Sequence, residues 1–590
     1  MPNLSRRVDA VRHAFTSAAL GASVATALAT PFAHAGSVPI FMDGRFNDWS
    51  AVLLAAEDES GDGGASGIDF GRVWVANDGR HLFLRVQLGS EIVMQEDNDL
   101  TLYVDTDDDA GTGTQLAGMG ADLVWSFGDR DGSYAGSSIF WDDVGVISAP
   151  SFGSDEFEIS LLRDAAPGGT ALFPSSTIRL AFRDASSGGD WVPSASHVTY
   201  AFDDADPLDP PVIGLDRDDP GYVRVVTYNV LWDGLWDRPD EHERMIQAIQ
   251  PDIVAYQEIG NHTGNETRQW VENALGGAWN VDWSGELQLL TPYPILGGWN
   301  TGEGRARATL VDLPATFDHD LLVINVHLKC CSNGDALRQE QIDDVMSFVR
   351  DGLTSGGTYT LAPDTPIMIV GDTNMYGDPR QVETLLTGDI LDNGTYGPDF
   401  APDWDGGNLD ALISRHPAVR QSFTWYNEFS SYQPSHIDRV TVTGSVLNVA
   451  KSYVLHTPLI PPAALAGAGL LADDSVEASD HAPHVVDLSP TAIVATADPG
   501  AVAGVRHLLA SPSPFRSRTQ LHFTLARADV VHAAIFDASG RLVADLGERR
   551  LPAGPHVLRW QVPPGPSAGT YFARVRSGDG VQTARLVVLR

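Results

Sequence analysis

The sequence predicts a multidomain protein in which a central layered α/β domain is flanked on either side by an all-β sandwich. At 590 residues the chain is too long for one hydrophobic core. Two Pro-rich stretches without periodicity, Asp203 to Gly221 (DDADPLDPPVIGLDRDDPG) and Ser489 to Gly504 (SPTAIVATADPGAVAG), read as linkers, placed at 206–221 and 490–505. Between them strand-like runs alternate with helical patterns; outside them only short strands recur.

The first 35 residues carry Arg6, Arg7 and Arg12, a small apolar run from about Ala14 to Phe32, and the triplet Ala33-His34-Ala35. That order is the pattern of a secretory signal, so 1–35 is expected to be removed and the protein to be secreted or held at the cell surface. No later stretch approaches transmembrane length.

Residues 37–205 contain RVWVAND, HLFLRVQL, LTLYVD and TIRLAF, alternating or β-branched and separated by Gly and Asp clusters, which predicts a sandwich. Inside it DTDDDAGTG puts Asp105, Asp107 and Asp109 at alternate positions before Gly111, where their carboxylates would converge on one Ca²⁺. No Glu stands at the twelfth position, so this is not an EF-hand loop.

Residues 222–489 change rhythm. VRVVTYNV, DIVAYQEI, TLVDLP, LLVINVHLK, PIMIVGDTN, HIDRVTVT and APHVVDL are strand-like, whereas PDEHERMIQAIQ, ETRQWVENAL and ALRQEQIDDVMSFVRDGL space their apolar residues as helices do. Several of these runs end on one acid, amide or imidazole: Asn229, Glu258, His327, and Asp372 with Asn374; Ser479-Asp480-His481 and Asp438 complete the set. A sheet can gather strand ends at one edge. Oxygens of Glu258, Asp372, Asp480 and the amides suit a hard cation, and two histidines beside it could move protons and steady negative charge. Asp372 and Asn374, two apart in an extended backbone, would point the same way.

Taken together, these segments resemble the endonuclease/exonuclease/phosphatase family, which includes DNase I, apurinic endonucleases, sphingomyelinases and inositol-phosphate phosphatases, over about residues 221 to 489. The resemblance implies a DNase I-like four-layered α/β sandwich and a Mg²⁺- or Mn²⁺-dependent phosphoric-ester hydrolase. It implies Glu258, Asn229 and Asp480 at the metal, His481 as general acid/base, and Asp438 bonding that imidazole. Asp372 and Asn374 would grip the phosphate and activate water, and His327 would donate to a non-bridging oxygen. Lys329, one of only two lysines in the chain (the other is Lys451), and Arg305 or Arg307 are further candidates for phosphate contact. Two positions depart from the family pattern: Leu231 stands where some nucleases carry Asp, and His436 where Arg is frequent.

Cysteine occurs only as Cys330-Cys331. An exported protein could close the pair as a vicinal disulfide, although neighbouring Cα atoms about 3.8 Å apart lie below the usual disulfide range. Residues 506–590 return to short strands, LHFTLARA, VHAAIFDASGRLV, HVLRWQV, GTYFARVRSG and TARLVVLR, with a turn expected at Asp537 to Gly540. With SPSPF at Ser511 to Phe515 this part resembles the Ig-like sorting domains of type IX secretion cargo, implying a secretion-machinery partner. The opening FMDGRFNDW and VANDGRHLFLRV resemble family-9 carbohydrate-binding and DOMON-like modules, implying a polysaccharide partner.

The formal net charge is −40, and residues 221–489 alone hold 14 Lys and Arg against 37 Asp and Glu. Such a chain repels nucleic acid and anionic membrane alike unless cations intervene. A phosphodiesterase is expected, with a nuclease placed ahead of a sphingomyelinase-like or other phospholipid phosphodiesterase because no long membrane-inserting hairpin is present. A non-catalytic carbohydrate-binding surface protein is the alternative of a different class.

Overall fold

The computed structural model describes residues 40–490 and 505–588, apart from 60, 62, 64–66, 195, 204–209, 358, 512–517, 526–528, 538–541, 553, 563–568 and 578–579. The signal-like segment 1–35, most of the second linker, and nearly all of SPSPF and of the 537–540 turn therefore lie outside the described residues. No helix among those described is long and apolar enough to cross a membrane.

The N-terminal part has a five-stranded and a seven-stranded sheet enclosing Phe70, Leu84, Leu102, Trp125, Phe157 and Phe182. All four runs read as strands there are strands. The C-terminal part pairs sheets of three and four strands around Leu521, Phe523, Ile535 and Trp560.

The central part is built on two six-stranded sheets. Its strands, numbered within this domain, are β1 (Val223–Asn229), β2 (Ile253–Gln257), β3 (Asn280–Ser284), β4 (Leu287–Thr291), β5 (Ile295–Thr301), β6 (Ala306–Val311), β7 (Leu321–His327), β8 (Ile367–Asp372), β9 (Asp410–Ala411), β10 (Asp438–Val442), β11 (Asn448–Val454) and β12 (His484–Ser489). One sheet runs β3-β4-β2-β1-β12-β11 and the other β5-β6-β7-β8-β10-β9. Between them one core joins Val225, Ala255 and Val486 of the first to Val323, Val370 and Val440 of the second. Helices α1 (Pro239–Ile249) and α2 (Gly264–Leu275) cover the outer face of the first sheet, and α3 (Asp335–Leu353) and α4 (Arg380–Thr387) that of the second. The order is helices, sheet, sheet, helices. Strands β3, β4, β5, β9 and β11 and helix α4 are additions to the elements the sequence predicted.

The period of two along a strand explains where the polar ends fall. In β1, Val223 and Val225 face the other sheet, so Asn229 does as well; in β7 the series Leu321, Val323 ends on His327, and in β8 Met368, Val370 ends on Asp372. Strands β1 and β2 are parallel, as are β7 and β8, so all four finish at the same edge. Antiparallel β10 starts there with Asp438 opposite Asp372, and His481 lies just before antiparallel β12.

Buried amides pin the two sheets to each other: Gln257 Nε2 donates to Asn325 Oδ1 at 2.7 Å, and Asn325 Nδ2 to the carbonyl of Tyr256 at 2.9 Å. Across β1 and β12 the guanidinium of Arg224, 1% exposed, donates to both carboxylate oxygens of Asp487 at 2.6 and 2.8 Å. The described part of the first linker lies on this domain, with Ile213 N donating to the Pro417 carbonyl at 2.8 Å and Lys451 Nζ 2.5 Å from Asp218.

Candidate active site

At the shared edge of the two sheets the chain makes several left-handed turns. Leu231, Trp232 and Asp233 have φ of 52, 47 and 62°, Glu258 65° and Asn374 50°, all sparsely populated by residues other than glycine. The strain has a use. It aims Leu231 N–H at Asn229 Oδ1 (3.1 Å) and Trp232 N–H at Glu258 Oε2 (2.9 Å).

The amide of Asn229 then bridges two carboxylates from different sheets, donating to Glu258 Oε1 at 3.0 Å and to Asp372 Oδ2 at 3.1 Å. His327 Nε2 stands 3.7 Å from Glu258 Oε1 and 3.6 Å from Asp372 Oδ2. His481 Nε2 is 3.8 Å from the same Asp372 oxygen, and its Nδ1 is 2.8 Å from Asp438 Oδ2. Ser479 fastens this last segment, donating to the Asn229 carbonyl at 2.9 Å while accepting the His481 N–H at 3.0 Å.

Electrostatics follow from crowding buried acids against imidazoles. Burial drives Asp372 above the usual carboxylate range, against the pull of His481. Burial alone would lower His481, but Asp438 and Asp372 outweigh it and raise it to about 10. A divalent cation beside these carboxylates would oppose that rise. For His327 burial again lowers, and the bond to Glu286 with the charges of Asp372 and Glu286 raises it overall.

Glu286 was not among the residues expected from sequence. It lies at the turn between β3 and β4, accepts His327 Nδ1 at 3.0 Å, and is itself 2.5 Å from Arg305. His327 is thus fixed with Nε2 toward the acids. Replacing Glu286 by Gln withdraws the charge that holds the imidazole protonated, so the His327 pKa falls. The alkaline limb of a kcat/KM profile is expected to move to lower pH, and an unmoved limb would remove His327 as the proton donor.

Other expectations need correction. Asn374 does not share an extended backbone with Asp372, because β8 ends at Asp372 and Asn374 is left-handed; its N–H instead bonds Asp372 Oδ1 at 3.0 Å, and both residues still line one cavity. Asp480 joins neither group of potential ligands in the site; its Oδ2 accepts the Trp425 indole N–H at 3.1 Å and its Oδ1 is 4.0 Å from His481 Nε2. Arg305 acts on Glu286, Arg307 pairs with Asp282 at 2.6 Å, and Lys329 Nζ approaches Cys330 Sγ at 3.8 Å; none of the three lines the cavity. Cys330 and Cys331 do line it, as free thiols. In the N-terminal sandwich Asp105 and Asp107 converge with Asp122, whereas Asp109 Oδ1 accepts Gly111 N–H of its own loop. Leu231 is exposed, and His436 is half-buried with its pKa lowered to about 3 by desolvation.

One oxygen or nitrogen from each of Glu258, His327 and Asp372 lies within 4.8 Å of the others. Two buried carboxylates tied by one amide are a donor set suited to a hard divalent cation.

No family model matches the chain, and no curated protein matches it. Solved structures do. ANGEL2, a 2′,3′-cyclic phosphatase, in complex with adenosine-2′,3′-vanadate, is 15% identical over 45% of this chain and 95% of its own, with a TM-score of 0.32. SmcL is 16% identical over 46% and 100%, with a TM-score of 0.29. An AP endonuclease from Archaeoglobus fulgidus is 11% identical over 45% and 98%, with a TM-score of 0.28. At such scores the likenesses carry no weight for function, and the chemistry rests on the geometry.

Proposed function

We propose that the protein is a secreted, metal-dependent phosphoric-ester hydrolase of the endonuclease/exonuclease/phosphatase family, acting on phosphodiesters. The carrying observation is the junction of the two sheets: Asn229 bonded to both Glu258 and Asp372, with two imidazoles near the same Asp372 oxygen.

Glu258 and Asp372, oriented by Asn229, would hold Mg²⁺ or Mn²⁺, and the bound ion would supply positive charge for the oxygen that leaves phosphorus. The chain's own groups do the rest. Asp438 fixes the His481 tautomer, so that Nε2 faces the cavity and exchanges a proton with water or with the leaving oxygen. His327, held by Glu286, presents an N–H to a non-bridging phosphate oxygen as charge grows there. Asn374 and Asp372 position the attacking water.

Export, a polysaccharide partner for the N-terminal sandwich, Ca²⁺ at its acidic loop and a secretion-machinery partner for the C-terminal part belong to this proposal, on the sequence patterns given above. The chemistry is tested by assaying DNA, RNA, sphingomyelin, phosphatidylinositol and sugar phosphates with and without EDTA. Hydrolysis of at least one phosphodiester is expected, falling to below about a tenth in EDTA and returning with added Mg²⁺ or Mn²⁺. Activity unchanged by EDTA would refute metal dependence. Ligand binding by the N-terminal sandwich without hydrolysis of any phosphoester would favour the non-catalytic reading.

A further inference from the structure

The cavity above Asp372 has a volume of about 390 Å³, and the central domain supplies only part of its wall. Val93, Met94 and Pro150 of the N-terminal sandwich line it together with Tyr376, Trp425 and Tyr432 of the central domain. Floor and wall differ in character: acids, amides and imidazoles lie below, apolar and aromatic side chains around.

The wall is built in. The turn at Val93 is held by Asn98 Nδ2, which donates to the carbonyls of Val93 (2.8 Å), Met94 (3.0 Å) and Glu96 (3.2 Å). Across the domain boundary Gln433 N donates to Gln95 Oε1 at 2.8 Å, Tyr432 OH to Glu96 at 2.8 Å, and Ser151 Oγ to the His436 carbonyl at 2.9 Å. Farther out Trp141 Nε1 donates to the Ser430 carbonyl at 2.9 Å and Gly153 N to the Gly377 carbonyl at 2.8 Å.

Next to it, sharing Tyr432, lies a second cleft bordered by Glu96, Asp97, Asp99 and Asp129, with Arg130 stacked on the Tyr432 ring at 4.4 Å. Four carboxylates against one guanidinium repel a polyanion.

Resting on the phosphoesterase reading, we infer that the N-terminal sandwich is a specificity wall of the active site, which admits a low-molecular-weight phosphodiester carrying a compact apolar or aromatic group and excludes duplex nucleic acid. A duplex would have to extend past the scissile phosphate in both directions, and one direction is occupied by Val93 to Gln95 and Ser148 to Ser151. The volume suits a group of small-ligand size. Nuclease, placed first by the sequence, thereby falls behind a small-molecule phosphodiesterase.

The test uses the full chain with Mg²⁺ or Mn²⁺, bis(p-nitrophenyl) phosphate, supercoiled plasmid DNA, and variants at Val93, which is partly exposed and takes no part in the chemistry. For the wild type, kcat/KM on the aryl diester is expected to exceed the value per phosphodiester bond of plasmid by about 100-fold or more. Val93→Trp, which fills the cavity, is expected to raise KM for the aryl diester about tenfold with kcat nearly unchanged, the signature of lost ground-state binding. Should that variant fail to fold, Val93→Ala is expected to raise KM about threefold. Plasmid cleaved per bond as efficiently as the aryl diester, or a KM untouched by the folded variants, would overturn the wall while leaving the phosphoesterase reading intact. Absence of metal-dependent hydrolysis of any phosphoester would overturn both.

Discussion

Replacing His481 by alanine is expected to lower kcat by more than about 100-fold, the usual worth of a positioned acid or base. The imidazole is almost wholly buried, with Nδ1 on Asp438 at 2.8 Å and Nε2 free to face the cavity 3.8 Å from Asp372. Burial lowers its pKa, yet Asp438 and Asp372 raise it to about 10 before any cation binds, which favours the protonated form that gives a proton to a leaving oxygen. Asp438→Asn keeps a hydrogen-bond partner but removes one charge that raises this pKa. The His481 pKa then falls, and the alkaline limb of the rate profile should move down with it while KM changes little. A His481→Ala enzyme with unaltered kcat would eliminate this residue from the chemistry.

Arg224→Met should be the most damaging change to stability, costing about 3–5 kcal/mol, because it strands the buried Asp487 carboxylate without its partner. The same guanidinium also donates to the carbonyls of Leu215 at 2.8 Å and Ile249 at 2.6 Å, tying the linker and the end of α1 to β1. Those acceptors lose their donor as well. The effect is read as a lowered urea midpoint for the central domain's transition. Arg224→Met combined with Asp487→Leu should recover much of the loss, since two apolar side chains leave no orphaned charge. A single variant as stable as the wild type would refute the stranding of a buried charge at Asp487.

Much of the site was legible because period-two alternation and a terminal polar residue coincide in TYN, NVH and IVGD, and such a coincidence survives in one sequence without knowledge of pairing. Long apolar strands and amphipathic helices were legible for the same reason. Strands β3 and β5 were not, since NVDWS and ILGGWNT are half-exposed and carry Gly or Asp, residues disfavoured in strands. Glu286 was invisible: it is one acid in a glycine turn, and only the sheet brings it to an imidazole 41 residues away. The specificity wall was hidden more deeply. Val93 and Pro150 are ordinary loop residues until Gln95 meets Gln433, 338 positions later in the chain. Asn374 misled, because GDTN fits both a continued strand and a turn, and here the preference of Asp and Asn for turns prevails.

The bond from Asn229 to Asp372 crosses from one six-stranded layer to the other. Turnover therefore depends on the alignment of two slabs that otherwise meet through an apolar seam and the buried amides of Gln257 and Asn325. A sideways slip of an ångström, too small to alter circular dichroism, would part Asn229 from Asp372 and His327 from Glu258. Under mild urea the enzyme should fall silent while its secondary structure still looks whole, so catalysis serves as a fine gauge of how the layers are seated.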